Sequence, residues 1–133
     1  MQLMISTDIA LRTLIYLGQK QGPATIQEVA DCCNISKTHL MKVVMTLVAA
    51  NFLVSERGRN GGIQLASTPS EIIIGDVVRL MESNLALVAC MKEDAPSDAC
   101  PLKPRCRLTK TFNKALDAFF NSLDETSLAD LLA

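Results

Sequence analysis

The sequence predicts a mainly α-helical protein with one small β-hairpin. Two helical segments are joined by a short turn at residues 34–36. A glycine-rich hairpin pattern over residues 52–65 follows the second of them directly. Apolar residues then recur at helical spacing over residues 105–123. Together these patterns indicate a winged helix-turn-helix plus a long C-terminal helix, which is a candidate dimerisation helix, in two regions that we place at residues 1–68 and 69–133.

Composition narrows the class of protein. The chain has 133 residues, 49% of them apolar, which is enough for one domain with its own core. No apolar run approaches a membrane span, and residues 1–20 lack the features of a signal peptide, so we expect a cytoplasmic protein with no membrane partner. The net charge of −1 argues against coating nucleic acid by bulk charge. The positive excess is local, with six Lys/Arg against four Asp/Glu in residues 1–65.

The first helix is predicted over residues 7–19. Ser6 or Thr7 is placed to cap it, and Asp8 in its first turn suits the positive end of the helix dipole. Gly22-Pro23 ends the segment. Its broad apolar side is typical of a helix that supports the rest of the fold.

Two shorter helices form the helix-turn-helix. Thr25 and Glu28 have the spacing of a capping box, which opens a helix that ends at Cys33. Ser36 caps the next helix, predicted over residues 37–51. Its residues at i, i+3, i+4 spacing face inward: Leu40, Val43, Val44, Leu47 and Val48.

The hairpin after this helix predicts a wing. Residues 52–55 and 63–65 are strand-like, and the glycines and Asn60 between them suit positive φ angles. Beyond a linker at residues 67–70 we expect a short helix over residues 72–82. The long apolar helix then has two candidate partners, the body of its own domain or the same helix of a second subunit, and a short helix ends the chain.

The helix-turn-helix and wing predict contact with DNA. Base edges are read from the start of a recognition helix, while wing arginines reach phosphates or the minor groove. The alternative is an ordinary solvated face, but the two motifs together favour DNA. The candidate residues are Ser36, Lys37, Thr38, His39 and Lys42 on the helix, and Arg57, Arg59, Asn60 and Gly61 on the wing.

The segment from Cys90 to Cys106 is predicted to be a loop, because three prolines interrupt it. A long ordered loop is uncommon unless something holds it, and its close-set thiols suggest a metal or a cluster. Gaps of nine and five residues separate Cys90, Cys100 and Cys106, which is not a C-x-x-C redox or zinc-knuckle spacing.

Several chemistries remain open for these three thiols. They could be free, form a redox disulfide, or bind zinc, although zinc prefers four Cys or His ligands and the single histidine, His39, belongs to the recognition helix. Three thiolates and one unusual ligand suit an iron–sulfur cluster better. Cys32 and Cys33, by contrast, are expected to be small buried hydrophobes.

Several motifs, taken together, resemble the Rrf2 family of bacterial winged-helix regulators. They are SKTHLMKVVMTL at residues 36–47, RGRNGGIQL at 57–65, IGDVVRLME at 74–82, and three loop cysteines ending in CRL. Within the family, the start MQLMISTDIALRTLIYL and the ending AFFNSLDETSLADLL resemble the nitric-oxide-sensing repressor branch. Thr109 agrees with that branch, because regulators of iron–sulfur biogenesis carry a histidine at this position.

The resemblance implies a cytoplasmic homodimer that binds a palindromic operator in double-stranded DNA and holds one iron–sulfur cluster per subunit. The implied ligands are Cys90, Cys100 and Cys106, with Asp8 of the partner subunit as the fourth, and [4Fe-4S] is favoured over [2Fe-2S]. Nitric oxide would be the signal that releases the operator. Arg12 lies one turn after Asp8, and we hypothesise that it pairs with Asp8 once this ligand is freed.

Two other functions stay open at this point. One is a DNA-binding regulator whose [2Fe-2S] cluster responds to redox state or iron supply. The other is a cluster-free interaction module whose thiols hold zinc or form a disulfide. An enzyme is not favoured, because a chain with one histidine offers no Ser/His/Asp or Cys/His set of catalytic spacing.

Overall fold

The computed structural model describes residues 1–98 and 100–133. Within these ranges lie six α-helices and one two-stranded antiparallel sheet, which confirms the predicted fold class. No helix in this part of the chain combines the length and apolarity needed to cross a membrane. The elements are α1 (Ile5–Lys20), α2 (Ile26–Cys33), α3 (Lys37–Ala49), β1 (Leu53–Glu56), β2 (Gly62–Leu65), α4 (Ile74–Met81), α5 (Leu108–Asp124) and α6 (Leu128–Leu132).

Helix α1 begins earlier than predicted, and its N-terminus is capped by a residue that lies far away in the sequence. Met4 is its N-cap, and Thr7, one of the two predicted caps, is a fully buried residue inside the helix. The carboxylate of Glu82 accepts hydrogen bonds from the Met4 amide at 2.7 Å and from the Thr7 hydroxyl at 2.5 Å. A carboxylate at a helix N-terminus satisfies the exposed amide and complements the dipole, so α1 needs no local hydroxyl cap.

The helix-turn-helix forms where the sequence places it. Ser36 caps α3, accepting a hydrogen bond from the His39 amide at 3.3 Å, and Asn34 takes a left-handed conformation in the turn. Thr25 caps α2 as predicted. The carboxylate of Glu28, expected to complete a capping box, accepts hydrogen bonds from α1: the Tyr16 hydroxyl donates at 2.7 Å, and Lys20 pairs with it. This contact joins the helix-turn-helix to α1.

The wing is anchored to the helix-turn-helix by its second strand. β1 and β2 pair in antiparallel register from Leu53↔Leu65 to Glu56↔Gly62, confirming the hairpin. On the other side, Ile63 exchanges two backbone hydrogen bonds with Ala24, at 2.9 and 2.8 Å. The second strand of the wing is therefore held at the residue that precedes the cap of α2.

Helix α5 is clamped to α4 by one arginine. Arg79 donates to both carboxylate oxygens of Asp124, at 2.6 and 2.7 Å, and these bonds lower the pKa of Asp124 below its ordinary value. The same guanidinium lies over the ring of Phe120, 4.3 Å from its centroid. α5 begins later than predicted, because a separate 3-10 turn occupies Lys103–Arg105.

One apolar core connects the helices and the sheet. α1 packs against α2, α3, α4 and α6, so its residues lie at the centre of the fold. The buried apolar residues of α1 are Ile9, Ala10, Leu14 and Leu17. The assignment of separate roles to residues 1–68 and 69–133 stays a prediction.

Candidate DNA interface and thiol site

The start of α3 presents the predicted polar residues to solvent. Lys37, Thr38, His39 and Lys42 are all exposed, on the side of the helix away from the core. The N-terminal turn that they occupy is the part of a recognition helix that reaches base edges. Their contact with DNA remains a prediction, which this placement supports.

The predicted wing residues lie at the tip of the hairpin. Arg57, Arg59 and Asn60 are exposed. Gly61 is half-buried, and a Cβ added there would lie 2.4 Å from the carbonyl oxygen of Glu56. Gly61 is therefore required by the tight backbone of the turn, whatever contact its own backbone makes with DNA.

Two residues on the outer face of α3 were not among the candidates predicted from the sequence. Met41 and Met45 are exposed by 49% and 71%. Their spacing with Thr38 and Lys42 is i, i+3, i+4, i+7, which is the signal of one helix face and could have identified them. Only polar residues of this helix were considered as DNA-reading candidates, so the two methionines were left without a role.

The three loop cysteines remain thiols that are neither fully buried nor fully exposed. Cys90 lies in a short 3-10 turn with its Sγ 3.7 Å from the Oγ1 of Thr109, in the first turn of α5. Cys106 lies two residues before that helix begins at Leu108. Two of the three thiols therefore belong to the N-terminal end of α5, where the helix dipole favours negative ligands.

The types of the donor atoms favour an iron–sulfur cluster at this site, but their positions in the single chain do not form one. Three half-buried thiols on one loop suit iron–sulfur ligation, which needs soft sulfur donors. Yet among residues 1–98 and 100–133 no three His, Cys, Asp or Glu side chains gather closely enough to hold a metal ion. The residues fit such a cluster by type, and the single chain does not bring them together.

The expectation that both Cys32 and Cys33 are buried is wrong for Cys32. These residues are consecutive at the end of α2, so their side chains leave the helix in different directions. Cys32 is exposed, whereas Cys33 is half-buried and its burial raises the pKa of its thiol.

Asp8 and Arg12 form an ion pair on the surface of α1. Their side chains are 57% and 44% exposed, so this pair is open to solvent. Arg12 also donates a hydrogen bond to the backbone carbonyl of Cys33 at 3.0 Å, at the last residue of α2. One guanidinium thus joins the predicted ligand Asp8 to the helix-turn-helix.

An apolar groove of about 590 Å³ runs between α5, the N-terminus and the segment after α4. Phe112, Leu116 and Phe119 form its α5 wall. Phe120 is instead buried under Arg79. The apolar stripe of α5 therefore packs partly on its own chain and leaves a second face open.

These features define a class of protein. A helix-turn-helix with an exposed polar recognition helix, followed by a hairpin wing with two arginines at its tip, is a winged-helix DNA-binding protein.

The chain belongs to the Rrf2 family. The family model, described as an iron-dependent transcriptional regulator, matches residues 3–133. The HTH-type transcriptional regulators NsrR of Geobacillus kaustophilus and of Oceanobacillus iheyensis are each 45% identical to this chain over 134 aligned positions, covering 99% of it and 90% of each relative.

Solved structures agree on the fold. CymR (YrzC), the global cysteine regulator of B. subtilis, matches with a TM-score of 0.76 at 28% identity, covering 99% of this chain and 96% of that one. T. potens IscR matches with a TM-score of 0.79 at 22% identity, covering 99% and 86%, and shows the fold alone. The predicted family is confirmed, and the chain is a DNA-binding transcriptional regulator rather than an enzyme.

Proposed function

We propose that this regulator is a nitric-oxide-sensing repressor that acts in the cytoplasm as an iron–sulfur homodimer. The observation that carries the proposal is the placement of Cys90 and Cys106 at the start of α5, on the loop that also holds Cys100. Resemblance to the nitric-oxide-sensing branch, and relatives that carry the name NsrR, support it.

Cys90, Cys100 and Cys106 would hold the cluster, together with Asp8 of the partner subunit. Asp8 is exposed on the surface of α1, where a second subunit can reach it. The three thiols are not gathered in the described part of the single chain, so binding of the cluster would have to draw the loop together. When bound, the cluster supplies iron that reacts with nitric oxide. A carboxylate is a hard ligand for such iron, so we assign Asp8 as the labile position and favour [4Fe-4S] over [2Fe-2S].

The chain's own residues would convert loss of the Asp8 bond into operator release. A two-fold dimer must present its recognition helices about 34–36 Å apart to fit a palindromic operator. An Asp8 engaged with the partner subunit fixes the angle between subunits, and an Asp8 paired with Arg12 does not. Small rotations of the subunits then separate the helices from their half-sites.

The decisive experiment begins with protein purified without oxygen. Iron and sulfide counts near four per subunit, visible absorption, and loss of operator affinity of at least about tenfold on titration with nitric oxide are the expected results. Cys100→Ser should lose the iron. Cys32→Ser is the matched control and should keep it, because Cys32 lies outside the loop.

Each rival function gives a different result in the same preparation. Two irons per subunit, with operator binding that follows redox state or iron supply and not nitric oxide, would indicate the [2Fe-2S] regulator. Bound zinc, or a disulfide among the loop cysteines, would indicate the cluster-free module. Colourless, iron-free protein that holds its operator tightly and ignores the gas would refute the proposal.

A further inference from the structure

We propose that Met41 and Met45 read thymine methyl groups in the major groove and so determine part of the operator sequence. This inference concerns base specificity, and rests on the DNA-binding class of the protein but not on its cluster. It assigns a role to the two residues of α3 that the polar recognition set leaves unexplained.

The two methionines face away from the core. The buried side of α3 consists of Leu40, Val43, Val44 and Leu47. Met45 is 71% exposed, so it contributes little to burial in the folded chain. A helix that already buries four aliphatic residues on one face has no folding requirement for methionine on the other. Because the two methionines are one turn apart, they form one exposed apolar surface that is available to a partner.

Charge identifies DNA as that partner. Met41 and Met45 alternate with Thr38 and Lys42 on one face, and Lys37 flanks it at the first turn. No Asp or Glu occurs between Lys37 and Ala49, so this surface attracts phosphates. A protein partner of apolar character would not require this positive flank.

The chemistry of the groove then selects the base. Among the base edges in the major groove, the C5-methyl group of thymine is the apolar feature that side chains contact. Methionine is unbranched and polarizable, so it adapts to such a group without a fixed rotamer. Met45 lies one turn after Met41, about 6 Å along the helix axis, which places the two contacts on different base pairs of the half-site.

Replacing thymine by uracil removes the methyl group and leaves the hydrogen-bonding edge intact. The operator is first selected from a random palindromic DNA library with the full-length dimer, and each thymine is then replaced by uracil in turn. We expect one or two positions per half-site where uracil weakens binding about fourfold, the effect of one buried methyl-sized group.

Variants of the protein show which side chain causes the difference between thymine and uracil. Met41→Gln and Met45→Gln keep the length but not the apolar end, and each should abolish the thymine–uracil difference at its own position. Met45→Leu should retain the difference at its position. Lys42→Ala is the control, because a lysine ammonium makes polar contacts that thymine and uracil DNA offer alike, so its loss should weaken binding to both DNAs equally.

Three results would overturn the proposal. One is a selected operator whose affinity is the same with thymine and uracil at every position. Another is a difference that survives in both glutamine variants. The third is a Met45→Gln variant that binds DNA as before but no longer self-associates or no longer binds another protein. That result would show that the methionines contact a protein chain and not DNA. Failure to select any operator would instead contradict DNA binding itself.

Discussion

At the scale of single residues, Arg12 connects the proposed cluster ligand Asp8 to the helix-turn-helix. Its guanidinium pairs with Asp8 on one side and donates to the Cys33 carbonyl on the other, where α2 ends. Because Arg is a planar fork with several donors, it can hold both groups at once. A change in the partners of Asp8 therefore reaches the helix-turn-helix through one side chain.

Arg12→Ala should weaken the coupling between iron and DNA. The measured quantity is the ratio of operator affinities for iron-loaded and iron-depleted protein. We expect this ratio to fall about two- to fivefold, the range of an exposed ion pair. Arg12→Lys is the matched variant: it can pair with Asp8 but does not bridge both groups, so it should be intermediate. An unchanged ratio in Arg12→Ala, with normal iron content, would remove Arg12 from the switch.

At the scale of elements, the wing depends on a glycine that follows its turn. Gly62 has φ +151°, and a Cβ there would lie 2.5 Å from the carbonyl oxygen of Ala24, whose backbone anchors the hairpin. Two other glycines allow the effect of a positive φ to be distinguished from that of a close contact. Gly58 has φ +118° with open space around it, and Gly22 has neither a positive φ in that range nor a neighbour within 4 Å.

Substitution of these glycines by alanine should give a graded series. Gly62→Ala should lower the free energy of unfolding by about 1–3 kcal/mol and weaken operator binding, because strain and contact both act on the wing anchor. Gly58→Ala should cost less, since only backbone strain remains, and Gly22→Ala should change stability by no more than about 1 kcal/mol. Urea unfolding and gel-shift titration measure both effects. Equal losses at Gly22 and Gly62 would contradict the role of the anchor.

The elements that the sequence predicted are those with local signals. The spacing of Leu40, Val43 and Leu47 and the cap at Ser36 lie within one helix, so α3 was placed well. The start of α1 was not, because its cap comes from Glu82, 75 residues away from Thr7. No periodicity within α1 contains that information. Contacts of this kind appear only when the chain is folded.

The candidate sites also combine features that the sequence shows with features that only the folded chain shows. The loop thiols could be identified from the sequence by residue type. The position of Cys90 beside Thr109 could not, because it depends on how the loop returns to α5. Met45 was missed for a different reason. The DNA-reading candidates were sought among polar residues, so an apolar residue on the same helix face was left out, and its exposure in the folded chain shows that it faces outward.

At the scale of the whole molecule, the open face of α5 predicts the dimer. Phe112, Leu116 and Phe119 line a groove that continues onto Met1 and Leu3, so apolar side chains from both ends of the chain meet at one surface. A second copy of α5 would cover this face, and a palindromic operator requires two copies. The opposite side of α5 is polar and exposed.

Ala115→Lys should convert the protein to monomers without unfolding it. Ala115 lines the groove and is exposed in the single chain, so lysine is tolerated there until a second copy buries its charge. We expect sedimentation to show a dimer dissociation constant raised at least about a hundredfold, with operator affinity lost in parallel because each monomer reaches one half-site. Asn121→Lys adds the same charge to the opposite face of α5 and should leave the dimer intact. A dimer that survives Ala115→Lys would place the subunit interface elsewhere.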